Sequence, residues 1–215
     1  MQTQRKPADS RLEAGQPKRF VFVLLDNFTM LSYASAVECL RIANRMNGGD
    51  TYSWSLIGEG GDTVTCSAGT TFKLDSDLMD LHRDDVMFLC SGIDVQDATS
   101  KKLLSWLRRE ARKGLTIGGL CTASYVLARA GLLDGRRATI HWENADSFAE
   151  EFDEVELSKS VFVIDGNRLS TAGGTSSIDL MLKLIANAKR NVAANRNGRR
   201  VLRSSIRTDQ DTQRL

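Results

Sequence analysis

Uninterrupted apolar runs alternate along this chain with segments in which apolar residues recur at helical spacing. Phe20–Leu25, Val86–Cys90 and Leu115–Leu120 show no regular polar alternation, which predicts strands buried on both faces of a parallel sheet. Met30–Met46 and Ser100–Lys113 carry apolar residues every three or four positions, which predicts helices. Strands alternating with helices in this way indicate an α/β fold with a mostly parallel sheet.

The other predicted elements are shorter. We predict strands or strand ends at Tyr52–Ile57, Thr63–Cys66, Thr70–Leu74, Thr139–Ile140, Val155–Leu157, Val161–Ile164 and Leu169–Ser170, and helices at Thr122–Ala130 and Ser176–Ala188. Ligands of such folds bind beyond the carboxyl ends of the parallel strands. We therefore expect the ligand site in the loops 26–32, 91–94, 120–123 and 171–177.

The polar and basic ends of the chain predict one domain at residues 19–188 between two tails. Residues 1–18 are polar and are expected to be disordered, and 189–215 are expected to form a basic tail or linker. Residues 1–19 hold five basic and two acidic side chains, and 189–215 hold eight and two, which leaves the middle with a net charge of −7. An acidic body of this kind argues against nucleic-acid binding by the domain itself. The basic tail is either a solvated linker or a weak phosphate contact.

The composition excludes several classes of protein. The 215 residues contain no apolar run near the ~18–20 residues that span a bilayer, and the N-terminus has no secretory signal pattern. Four cysteines, none of them in a CxxC pair, indicate reduced thiols and a cytoplasmic location. We predict no metal site and no cofactor.

Cys121 carries most of the chemical argument. A buried strand meets a helix there, with glycines before the cysteine and small residues after it, as in a nucleophile elbow. A thiol at a helix N-terminus is expected to have a lowered pKa. The alternative is that Cys121 is a small apolar residue at a strand end.

Nucleophilic catalysis would also require a base. The chain has two histidines. His82 lies in a charged loop and is expected to face solvent, whereas His141 follows a short strand beside Trp142 and is either a wall of the site or a structural residue.

Three ordered motifs resemble a known family. The segment from Gly119 to Glu143 is similar to the central motif of the PfpI/ThiJ branch of the class I glutamine-amidotransferase-like superfamily, and Ala36–Arg45 and Thr171–Leu180 match two further stretches. Together they resemble most closely the sensor half of AraC/XylS-type transcriptional regulators. The resemblance covers about residues 19–188. It implies a flavodoxin-like three-layer α/β sandwich.

The enzymes of this superfamily are cysteine hydrolases, hydratases or glyoxalase-type catalysts. They place an acidic side chain beside the elbow thiol, and the position that matches here is Ser32. Protease-like members carry a histidine immediately after the nucleophile, where this chain has Thr122. Glu38, on the same predicted helix as Ser32, is the remaining acidic candidate. We therefore expect no enzymatic activity.

The resemblance implies a sensor that binds a small amino-acid or quaternary-amine metabolite without turnover. The expected ligand contacts are Ser32, Glu38, Ser91, Gly92, Ile93, Cys121, Thr122, Ala123, His141, Trp142 and Thr175. It also implies a homodimer, with DNA bound through a helix-turn-helix domain that this chain does not contain. For several contacts a purely structural role is open: a core aromatic for Trp142, a plain turn for Ser91–Gly92 and a helix cap for Thr175.

Two other hypotheses stay open from the sequence. One is a cysteine-dependent hydratase, hydrolase or glyoxalase-like enzyme that uses Cys121. The other is a redox sensor in which the thiol of Cys121 is oxidised.

Overall fold

The computed structural model describes residues 16–194 and 211–213, with side chains to residue 188 and in 211–213. Its strands are β1 Lys18–Leu24, β2 Tyr52–Ile57, β3 Thr63–Thr65, β4 Thr71–Lys73, β5 Val86–Cys90, β6 Thr116–Leu120, β7 Arg137–Ala138, β8 Glu156–Leu157, β9 Phe162–Asp165 and β10 Arg168–Thr171. Its helices are α1 Met30–Asn47, α2 Lys101–Ala111, α3 Ala123–Arg129, α4 Ala145–Glu151 and α5 Ser176–Ala194.

A six-stranded sheet forms the centre of the described part of the chain. The strand order is β2-β1-β5-β6-β10-β9, and every neighbouring pair is parallel except β10 with β9. Two-stranded sheets, β3 with β4 and β7 with β8, lie outside it. The predicted α/β class with a mostly parallel sheet is confirmed.

Helices cover both faces of the central sheet, because successive side chains of a strand point to opposite faces. On β1, Phe20 and Phe22 belong to the core cluster that packs under α1 and α5. Val21 and Val23 belong to the second cluster, which contains buried residues of α2, α3 and α4. The result is a three-layer sandwich, as the sequence resemblance implies.

The largest differences from the sequence-based elements lie near the chain ends and after β6. α5 continues to Ala194, so the predicted tail 189–215 begins inside a helix. The predicted strand Thr139–Ile140 forms two residues earlier, as β7. α4 was not predicted, because it is a single short helix with one buried side chain, Phe148.

The expected disorder of 1–18 is contradicted at its last residue, since β1 begins at Lys18, whose backbone N–H donates to the carbonyl of Thr51 (2.9 Å). The rest of that expectation, for residues 1–15, lies outside the described residues. So does the part of the predicted tail at 195–210. No helix of the described residues is both long and apolar enough to cross a bilayer.

Gly118, in the middle of β6, lies beside Phe88 of the neighbouring strand β5 and leaves room for its ring. A Cβ atom at this position would lie 2.2 Å and 2.4 Å from two carbons of the Phe88 ring, which is fully buried. The ring and the strand therefore fit together only if residue 118 has no side chain.

We expect Gly118→Ala to lower the free energy of unfolding by about 1–3 kcal/mol, because the added methyl group overpacks the core. Urea denaturation measures this loss. Gly49→Ala is the matched control, because Gly49 has open space around its Cα and no left-handed backbone angle. Equal stability of Gly118→Ala and the control would contradict the packing argument.

Candidate functional site

Cys121 lies on the sharp turn between β6 and α3. Its φ angle is +64°, a left-handed conformation that few residues other than glycine adopt. The turn is packed tightly against Gly173 in the loop before α5, where a Cβ atom would lie 2.8 Å from the sulfur of Cys121. The predicted elbow is therefore present, and a strained backbone of this kind is typical of functional sites.

Burial dominates the chemistry of the Cys121 thiol. The residue is 5% exposed, and this desolvation raises the pKa of the thiol above its ordinary value. Hydrogen bonds from Thr29, whose Oγ1 donates to the sulfur at 3.5 Å, from the backbone N–H of Thr122 and from Ser32 oppose the shift. The charge of Glu143 adds to it. The expected lowering of the pKa is thus wrong, because burial outweighs the hydrogen bond that the backbone at the start of α3 donates to the sulfur.

A cavity of about 460 Å³ opens beside this thiol. It lies beyond the carboxyl ends of β1, β5 and β6, where ligands of parallel sheets bind. Its lining comes from the loop before α1, the loop after β5, the elbow with α3, and the segment that leads into α4. The lining residues are Thr29, Gly92, Ile93, Asp94, Val95, Gln96, Asp97, Cys121, Thr122, Tyr125, His141, Glu143, Asn144 and Ser147.

The walls of the cavity are acidic. Three carboxylates line it, from Asp94, Asp97 and Glu143, and among the residues that the structure describes no lysine or arginine joins them. Nδ1 of His141 lies 3.6 Å from Oε2 of Glu143. The electrostatic environment therefore favours a cationic group.

A buried hydroxyl network ties the loop after β5 to the elbow. Oγ of Ser91 and Oγ1 of Thr122 are 2.7 Å apart, and Oγ1 of Thr122 donates to the carbonyl of Gly92, also at 2.7 Å. Ser91 and Thr122 are both buried. These bonds hold two walls of the cavity in fixed relation to one another.

The structure brings part of the predicted site together. Of the predicted contacts, those that line the cavity are Gly92, Ile93, Cys121, Thr122 and His141. Ser91 and Ser32 lie beneath the surface of the cavity, where Oγ of Ser32 accepts the backbone N–H of Gly174 at 2.8 Å. Ser32 is thus beside the thiol, at the position where the resemblance expects an acid.

Other predicted contacts lie away from the cavity. Glu38 is on the exposed surface of α1, where its carboxylate is paired with Arg41. Six residues of helix separate Glu38 from Ser32 by roughly 120° around the axis, so the two side chains leave different faces of α1. Ala123 is a fully buried residue of α3, and Thr175 is exposed before α5.

Trp142 also lies outside the lining, and 47% of it is exposed. It packs beside His141 with ring centroids 5.7 Å apart. It is therefore not the core aromatic that the alternative interpretation described. The other histidine, His82, is solvent-exposed near Asp84, as the sequence predicts.

Sequence reasoning missed several lining residues, chiefly the acidic ones. Asp94 ends the predicted loop 91–94, Asp97 lies just beyond it, and Glu143 comes two residues after His141. Ligands bind in the loops at the carboxyl ends of parallel strands. Applying this rule to every charged residue of those loops would have identified Asp94 and Asp97.

We expect alkylation of Cys121 by iodoacetamide to require a higher pH than alkylation of an unperturbed cysteine. The raised pKa keeps the thiol protonated at neutral pH, and the thiolate is the nucleophile. Thr29→Val removes a hydrogen bond that favours the thiolate and should lower the rate at fixed alkaline pH about two- to threefold. Peptide mass spectrometry separates Cys121 from the other cysteines.

Thr63→Val is the control for that substitution, because Thr63 is an exposed threonine of β3, outside the cavity lining. A midpoint for Cys121 below that of free cysteine would contradict the assigned burial effect.

Comparison with known proteins agrees with this geometry. The sequence profile described as the DJ-1/PfpI family matches residues 18–187. The chain is 43% identical over 196 residues to the HTH-type transcriptional regulator CdhR of Pseudomonas aeruginosa, covering 91% of this chain and 58% of that protein. It is 37% identical over 199 residues to the HTH-type transcriptional regulator GbdR of the same species, covering 93% and 54%.

A solved structure gives the same result. The crystal structure of an AraC family transcriptional regulator from Pseudomonas putida superimposes with a TM-score of 0.72 at 27% identity, covering 82% of this chain and 99% of that one. The chain spans little more than half the length of the two curated regulators it matches. With an elbow cysteine in a three-layer sandwich and a profile match over residues 18–187, the chain belongs to the DJ-1/PfpI family.

Proposed function

We propose that this chain is the effector-binding sensor domain of an AraC-type transcriptional regulator. The cavity beside Cys121 would take a small amino-acid or quaternary-amine metabolite and release it unchanged. The observation that carries this proposal is an acidic cavity at the elbow, lined by a buried cysteine whose thiol pKa is raised by desolvation. We further propose that the parent regulator is a cytoplasmic homodimer.

The lining supports a small cationic ligand. About 460 Å³ is within the range of small-molecule sites. The carboxylates of Asp94, Asp97 and Glu143 would attract an ammonium group, and Tyr125 of α3 also lines the cavity. Aromatic faces attract cations, by roughly 0.5–2 kcal/mol depending on desolvation. A ligand with one positive head group fits this arrangement better than an anion.

The surroundings of the thiol support binding without turnover. The hydroxyls of Thr29 and Ser32 approach the sulfur, and a hydroxyl cannot accept the thiol proton as a carboxylate or imidazole would. The raised pKa also weakens the redox-sensor hypothesis, since selective oxidation requires thiolate character.

Similarity to longer regulators supports the DNA-binding part of the proposal. CdhR and GbdR are named as HTH-type regulators, and this chain matches 58% and 54% of their lengths. DNA binding would therefore belong to a helix-turn-helix domain of the parent regulator, outside the matched region. The acidic body of the chain fits a sensor that leaves DNA to another domain.

One observation favours the alternative, a cysteine-dependent hydratase, hydrolase or glyoxalase-like enzyme. His141 and Cys121 line the same cavity, so a histidine that could act as a base borders the space that a substrate would occupy. The hydroxyl environment of the thiol weighs against this reading, and a direct test separates the two.

A thermal-shift screen of amino acids, betaines, carnitine and polyamines tests the binding proposal. A ligand at 100 times its Kd stabilises the folded protein by about 2.7 kcal/mol. For a domain near this size, the melting temperature should rise by roughly 5–10 °C. Cys121→Ala should keep the shift, because the thiol is not the group that attracts the cation.

Removing charge from the cavity should weaken binding. We expect Glu143→Gln and Asp94→Asn each to raise the Kd of the cationic hit about two- to fivefold, as measured by calorimetry. Asp153→Asn, which removes an exposed carboxylate outside the cavity, should leave the Kd unchanged. Tighter binding of an anionic compound in Glu143→Gln than in wild type would instead indicate an anionic ligand.

A turnover test distinguishes the sensor from the enzyme. We expect the bound compound to be recovered unchanged, by mass spectrometry, after prolonged incubation with excess compound. Consumption of the compound by wild type that is lost in folded Cys121→Ser would contradict the sensor proposal and support the enzyme.

A further inference from the structure

The segment Asp211–Gln213, here called the clip, pairs with a distant part of the domain. Thr212 forms an antiparallel bridge with Ser160, just before β9. The backbone N–H of Val161 donates to the carbonyl of Asp211, and that of Gln213 donates to the carbonyl of Lys159, both at 2.9 Å. The clip therefore adds a short strand beside Lys159–Val161, which leads into the edge strand of the central sheet.

The side chain of Gln213 reaches further inward than the clip's backbone. Its Nε2 donates to the carbonyl of Ile140 at 3.0 Å and to Oγ1 of Thr139 at 3.3 Å. Ile140 and Thr139 are fully buried. A side chain 73 residues further along the chain thus provides a hydrogen bond to a buried backbone carbonyl, and leaving such a group unpaired is costly.

Thr139 joins the clip to the helix that follows the elbow. Its Oγ1 donates to the carbonyl of Ser160, its N–H donates to Oγ of Ser170, and its carbonyl accepts Oγ of Ser124 at 2.7 Å. Ser124 is three residues after Cys121, in α3. A buried polar network therefore runs from the clip to the elbow.

Ile140 joins the clip to the cavity more directly. The next residue, His141, lines the cavity and begins the wall that continues through Glu143 and Asn144 to Ser147. The N–H of Asn144 donates to the carbonyl of His141 at 2.9 Å, which closes a turn at the start of this wall. Through its hydrogen bond to Ile140, the amide of Gln213 therefore holds the residue that directly precedes this wall.

We propose that docking of the clip and occupation of the cavity oppose one another. Cys121 is only 5% exposed. A group that packs fully against its sulfur therefore needs more room than the cavity leaves there, and the His141–Ser147 wall moves outward to give it. That movement carries the carbonyl of Ile140 away from Gln213 and releases the clip. The clip is thus the output of the sensor, and this inference rests on the proposed function only for the nature of the occupant.

The first experiment measures access to the cavity without any effector. Gln213→Ala should raise the rate at which iodoacetamide alkylates Cys121 by about five- to tenfold, because one or two hydrogen bonds that hold the wall are lost. Thr212→Ala is the matched control: the Thr212 side chain is exposed and its backbone pairing persists, so the rate should stay within about twofold.

Hydrogen exchange at the backbone amide of Val161 reports clip docking in the same variants. We expect slow exchange in wild type and Thr212→Ala, and faster exchange in Gln213→Ala. An unprotected Val161 amide in wild type would show that the clip is not docked and would overturn the proposal. A released clip with an unchanged alkylation rate would also overturn it, because the two would then be uncoupled.

The reverse experiment uses the carbamidomethyl group on alkylated Cys121 as the occupant. If the two sites oppose one another, the effect works in both directions, so this adduct should speed exchange at Val161. Unchanged exchange in the alkylated protein would overturn the proposal. Neither experiment needs a metabolite, so failure of the amine-binding screen and failure of the coupling give different results.

Discussion

The arrangement of the site depends on the left-handed backbone of Cys121. That conformation ends β6 abruptly and directs the sulfur toward the cavity, and it is possible only because Gly173 lets the loop before α5 approach the turn. Around this turn, Thr29, Ser32 and Thr122 supply hydroxyl or backbone donors in place of ionisable groups. The fold therefore keeps the shape of an elbow nucleophile, while burial raises the pKa of its thiol above the ordinary value.

Patterns with local causes could be predicted from the sequence. β5 was placed at its true bounds, and β1, β6 and α1 within a few residues, because buried parallel strands and amphipathic helices leave clear apolar patterns. α4 could not be found in this way, since a seven-residue helix with one buried side chain has almost no periodicity. The pairing of 211–213 with Lys159–Val161 depends on a tertiary contact that no local pattern contains.

The site shows the same division. Cys121, Thr122, Gly92 and Ile93 lie at strand ends, so the topology of a parallel sheet was enough to bring them together. Whether the pKa of the Cys121 thiol is raised or lowered depends on its burial, which cannot be read from the sequence. Glu38 lies about 120° around α1 from Ser32, and its exposed pairing with Arg41 is seen only in the structure.

Hydrogen bonds tie the two sides of the cavity to different parts of the fold. The loop after β5 is tied to the elbow by the bonds among Ser91, Thr122 and Gly92, whereas the wall from His141 to Ser147 is supported from behind through Ile140. Substitutions of the buried Ser91 or Thr122 on the first side disturb the sandwich itself, whereas Glu143 and Ser147 on the second side are exposed. The specificity of such a domain can therefore diversify through the second side, with the first serving as an unchanging frame.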